Sequence, residues 1–203
     1  MDQMIRGALL GGKGTSVPHT ATVHGAERVA LTLGRYTDAA LDRRVYRAAN
    51  QAAQAWTVAL ATTYTGIVLS NPFNSGVNLV PLFAGFALSV APAAVASIGF
   101  FGGYSPTAVI HTTPLDVLST MLDQEQSTAV GKVDSAATLP GTPRWLLPFM
   151  GGFTAAALPA TSPAPMDLGG IFVVPPGAYF GIAALTVVTG FGGLVWEEVP
   201  IVG

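Results

Sequence analysis

"GGIFVVPPGAYFGIAALTVVTGFGGLVWEEVP", residues 169–200, carries no charge before Glu197. Its reading decides whether the chain ends in a membrane segment, in the last strands of a soluble core, or in a surface that other chains cover. The residue types favour strands. Val173-Val174 followed by Pro175-Pro176-Gly177 reads as a strand ending in a turn, because proline donates nothing to a ladder and glycine tolerates turn geometry. Tyr179 to Thr189 and Gly193 to Val199 then read as two antiparallel strands joined through Gly190-Phe191-Gly192. Trp196 is expected to close a core. Adjacent strand residues point to opposite faces, so at most one of Glu197 and Glu198 can point inward.

Working outward, the same signals recur. WTVALATTYTGIVLSNP, VNLVPLFAGFALSV, ASIGFFGGY, TAVIHTT and WLLPFMGGFTAA are rich in β-branched and aromatic residues and are separated by Gly, Pro and Asn turns. The pattern predicts about eight to ten short strands in an all-β, antiparallel, jelly-roll-like sandwich. Asp116 to Pro143 reads as a polar, charged loop, and LPATSPAPMD as a proline-rich one. Glu27 to Gln54 reads either as a short helix around Thr37 to Arg47 or as two short strands, since Val29-Leu31-Leu33 alternates. Residues 1–25 read as an extended arm without a signal peptide, because Ala8-Leu9-Leu10 is too short for an apolar h-region.

Of the 203 residues only 10% are charged, against about 25% in an ordinary globular domain, while 50% are apolar. A chain with so few charges leaves apolar surface exposed, which marks association surfaces. The charges are also segregated. Residues 1–47 hold seven cations and four anions (+3), whereas the remainder holds two cations and seven anions (−5). This predicts two parts: a basic attachment arm, 1–47, and an apolar body, 48–203. Charge-free strands in the body are expected where both faces are buried, one in the sandwich and one against sister subunits.

Other function classes lack their residues. Pro81 to Phe101 is long enough to span a bilayer, but Pro81 and Pro92 break a helix, Gly85 and Gly99 weaken it, and no Lys or Arg flanks it, so no membrane partner is expected. In GALLGGKGTS, Gly7, Gly12 and Lys13 match part of a phosphate loop, yet Gly14 stands where Ser or Thr would bind magnesium. His19, His24 and His111 have neither cysteine nor a nearby acidic pair, so no metal or other cofactor is expected. No Gly-x-Ser-x-Gly is present. Three arginines, Arg43, Arg44 and Arg47, make a weak case for a nucleic-acid surface. The expectation is a protein that is not an enzyme, with no nucleic-acid partner.

GRYTDAALDRRVYRAANQAAQAWTVALATTYTGIVLSNPFNSGVNLVPLFAGFALSVAPAAVASIGFFGGYSP, SAATLPGTP, FMGGFTAAALPA and the closing stretch together resemble structural proteins of tailed bacteriophages, over roughly residues 34–201. The end of the chain also looks like the final strands of trimeric jelly rolls of the tumour-necrosis-factor and complement kinds. The resemblance implies a virion decoration, or cement, protein: a homotrimer on the outer capsid surface that clamps the major capsid protein and is assembled in the host cytoplasm. It implies trimer contacts among Phe180, Ile182, Leu185, Val187, Phe191 and Trp196. Arg28, Arg35, Tyr36, Arg43, Arg44 and Arg47 are the residues expected against the shell. The alternative is a trimeric adhesin or head-fibre module that recognises cell-surface glycans through the Asp116 to Pro143 loop.

Overall fold

The computed structural model describes residues 20–21, 27–28, 35–58, 60–105, 109–122, 127–153 and 165–201. The phosphate-loop-like stretch, His19, His24, the Val29 to Leu33 alternation and most of both the arm and the proline-rich loop lie outside them. In the N-terminal part, β1 (Thr20–Ala21) pairs with β2 (Glu27–Arg28). A separate compact unit, Ala39–Gly203, holds the sandwich.

Helix and strand share the Glu27 to Gln54 region. Helix α1 (Thr37–Leu41) opens with Asp38 in its first turn, where a carboxylate offsets the helix dipole. It ends well short of Arg47, because Val45 and Tyr46 begin β3 (Val45–Ala49). β3 is part of the sandwich, so Arg43, Arg44 and Arg47 belong to the body and not to an arm ending at residue 47.

The remaining strands are β4 (Gln54–Trp56), β5 (Thr63–Ser70), β6 (Val77–Leu88), β7 (Ala96–Tyr104), β8 (Ile110–Pro114), β9 (Leu118–Ser119), β10 (Lys132–Thr138), β11 (Arg144–Phe153), β12 (Met166–Asp167), β13 (Ala178–Ala184) and β14 (Val188–Pro200). They form two antiparallel sheets, β11-β7-β13-β5-β10-β8 and β12-β6-β14-β3-β9, with β4 also on β14. The expected all-β sandwich is what forms. Four pairings are nested along the chain: β3 with β14, β5 with β13, β6 with β12, and β7 with β11. Pro81 to Phe101 supplies most of β6 and the start of β7, and no helix among the described residues is long and apolar enough to cross a membrane.

Three local expectations change. The supposed hairpin of Tyr179 to Val199 is not one: β13 and β14 lie in different sheets, and Leu185–Val187 carries the chain across the sandwich. GGIFVV makes only one bridge, Val174 with Leu79, since Gly169 and Gly170 take positive φ (56° and 76°) and two prolines follow Val174. The turn itself is as expected, with Gly177 at φ 84°. Finally, Asp116 to Pro143 is not one loop, because β10 lies within it between β5 and β8.

The core fills the space between the sheets with Trp56, Leu79, Phe86, Phe100, Phe180, Ile182, Leu194 and Trp196, among others. A second apolar cluster, including Tyr64, Val68, Phe101, Tyr179 and Ala183, covers the other face of the β13 sheet. All seven residues of β13 are therefore buried within this one chain. Its lack of charge needs no sister subunit.

Candidate interaction surface

Phe180, Ile182 and Trp196 point into the sandwich and are at most 1% exposed. They cannot meet a neighbouring chain, which corrects their assignment to a trimer interface. Phe180 sits among Phe100 and Phe172, at ring-centre distances of 5.2 and 5.3 Å. Trp196 lies against Tyr46. Period two sends alternate residues of β13 to opposite faces, and each of those faces is already covered by an apolar cluster of the same chain.

Leu185, Val187 and Phe191 are exposed, and they cluster with residues the sequence did not single out. Val58 bridges to Ala184, the Leu185 amide donates to the Ser97 carbonyl at 2.9 Å, and the Ser89 amide donates to Thr189 at 2.9 Å. These contacts gather three loops, 57–62, 89–95 and 185–187, at one end of the sandwich. There Val58, Val90, Val95, Leu185 and Val187 are each between 42% and 57% exposed. None of the three loops contains Asp, Glu, Lys or Arg. Phe191 continues the apolar surface onto the outer face of β14, beside a hollow of about 320 Å³ that Ala49, Gly85, Ala87 and Gly193 help to line.

The charges sit toward the other end of β14. Glu197 forms an ion pair with Arg44, which also reaches Asp42 at 3.5 Å. Glu198, one residue on and facing the opposite way, is buried. Its carboxylate accepts the amides of Val130 and Gly131 at 2.9 and 2.8 Å, tying the segment before β10 to β14. The two glutamates are thus separated as alternation requires.

The arginines expected against a shell fall in two parts of the chain. Arg47 is exposed on β3 opposite Val195, Arg43 is exposed with φ 58°, and Arg44 is half-buried in its ion pairs. Arg35 stacks over Tyr36 at 5.1 Å in the N-terminal part. The side chain of Arg28 lies outside the description.

One buried charged group was missed by sequence. Asp134, on β10, is fully buried; its Oδ2 meets Nδ1 of the part-exposed His111 on β8, and its Oδ1 has no hydrogen-bond partner among the described residues. Both ladders of β10 slip at this position. No described hydroxyl completes the pair as a nucleophilic site, and no group of three or more potential ligands gathers to hold a metal among the described residues. Burial raises the Asp134 pKa above the ordinary 3.8, more than the hydrogen bond and attraction to His111 lower it. A carboxyl with a raised folded-state pKa holds its proton more tightly when folded. Its contribution is therefore present at low pH and is lost as pH rises from about 4 through the folded value. Asp134→Asn should remove that dependence: urea midpoints should show wild type losing ground to the variant between about pH 4.5 and 7. An unchanged difference at the two pH values would refute it.

No protein-family model, curated protein or solved structure matches the chain.

Proposed function

We propose that the chain is a non-enzymatic structural protein that forms a homotrimer through the charge-free end of its sandwich and the adjoining outer face of β14. The observation that carries this reading is the set of exposed aliphatic residues on three loops without a single charge. A contiguous apolar patch of that kind is a liability on a lone molecule and an asset at a subunit interface. The nested strand pairing supports reading the sandwich as a jelly roll, the architecture that the resemblance implies for the trimer.

On the same reading the trimer decorates the outer surface of a tailed-phage capsid and clamps major capsid protein subunits. Support comes from the resemblance and from the exposed cations Arg43 and Arg47 of the body. Anything that binds only the assembled shell stabilises it by mass action, and three linked attachment points add avidity to modest contacts. The double substitution Leu185→Asp/Val187→Asp should convert a trimer into monomers, with a threefold fall in solution mass by light scattering. Unaltered mass would remove this interface. Separately, virions lacking the chain should be more sensitive to heat and osmotic shock; equal resistance would remove the capsid role.

A further inference from the structure

A second concavity, of about 440 Å³, opens beside β7 and β11 and is unrelated to the apolar end. That volume is in the range of small-ligand sites. Its walls are Gly102, Gly103 and Tyr104 of β7, Arg144 and Leu146 of β11, and the 172–175 and 178–180 segments. Arg144 is the only charged residue in this lining. It is exposed, and among the described residues no carboxylate pairs with it. The groove therefore combines an apolar trough with one unneutralised guanidinium at its edge.

The backbone around the trough is largely engaged already. Tyr104, Gly103 and Gly102 are paired with Ala178, Tyr179 and Phe180. Val174 exchanges both its hydrogen bonds with Leu79, at 2.8 and 3.0 Å, and the Pro175 carbonyl accepts the Ala178 amide at 3.0 Å. The Tyr179 hydroxyl donates to Gly141 at 3.2 Å. An entering peptide would bury amide groups against walls with few partners left to satisfy them, which costs about 1–3 kcal/mol for each group left unpaired. An alkyl chain has no such groups, and a carboxylate at its end matches Arg144 in charge and in its forked donor geometry.

We propose that this groove binds a small aliphatic carboxylate, its chain lying along Gly102, Gly103, Val173 and Ala178 and its head on Arg144. The probe is decanoate, titrated below its micellar concentration into the full-length isotope-labelled protein while amide shifts are followed. Decyltrimethylammonium and a blocked Leu-Leu-Glu peptide are titrated in parallel. Saturable decanoate shifts should appear at Gly102 and Gly103. Arg144→Gln should weaken binding about tenfold, the equivalent of roughly 1.4 kcal/mol, while leaving the fold's other shifts in place. Arg144→Lys, which keeps the charge and loses the fork, should fall between. Absence of saturable shifts at those glycines, equal affinity for Arg144→Gln, equal binding of the ammonium compound, or preference for the peptide would each overturn the assignment.

Discussion

Gly192→Val is expected to destabilise the protein by roughly 3 kcal/mol or more, at the upper end of overpacking costs, whereas Gly193→Ala, one residue along the same strand, should change stability by less than about 0.5 kcal/mol. The difference comes from what each position faces. A Cβ at Gly192 would stand 2.7 Å from Cζ2 of the Trp56 ring and 2.9 Å from the Ile67 side chain. Neither can withdraw. Trp56 is 1% exposed and its ring meets Phe86 edge-on at 4.7 Å, and Ile67 is equally buried in the same core. The Gly192 amide also donates to the side chain of buried Asn50, a bond that any backbone shift would disturb. Gly193 faces outward, and its Cβ would meet the Ala49 methyl at 3.4 Å, an ordinary contact. Filling it also removes some of the freedom a glycine has in the unfolded chain. Denaturant midpoints of the two variants measure the contrast directly; similar losses at both sites would mean that β14 is not oriented as described.

The same glycine shows which part of the fold was legible. Read alone, Gly190-Phe191-Gly192 looks like a turn, because glycines punctuate turns far more often than they fill strand interiors. The strand class and the count of strands follow from β-branched and aromatic runs, which are local properties. A glycine required by a tryptophan 136 residues away in the chain is not a local property. Asp134 hid β10 for the related reason that a charged residue argues against a buried strand unless its partner is known, and His111 lies on another strand. The interface suffered likewise. Strand alternation could sort Phe180 from Phe191 only once the sheet carrying each strand was fixed, and the register that fixes it is a long-range pairing. Val58, Val90 and Val95 are spread through two loops far apart in sequence, and only the bridges at Ala184, Ser97 and Thr189 bring them beside Leu185 and Val187.

Phe180→Ala should lower unfolding stability by about 3–5 kcal/mol, the cost of emptying a buried aromatic site, and by the same amount at every protein concentration. Its ring is 1% exposed and stacks on Phe100 at 5.2 Å, with Phe172 on another side at 5.3 Å and Phe149 continuing the stack at 4.5 Å from Phe100. Phe100, itself fully buried, can relax only partly into the vacated space, so both the transfer and cavity costs are felt. Val187→Ala at the exposed end should behave in the opposite manner. With 55% of its surface open, the substitution should alter the unfolding of an isolated chain by no more than about 0.5 kcal/mol. Its effect should instead appear in the dependence of the melting midpoint on protein concentration, because a residue covered by a sister chain contributes through association. Were Phe180 an interface residue, its variant would recover stability as concentration rose. Melting curves of both variants over a hundredfold range of concentration therefore separate core from interface within one stretch of sequence, and a concentration-dependent loss for Phe180→Ala would contradict the burial of β13.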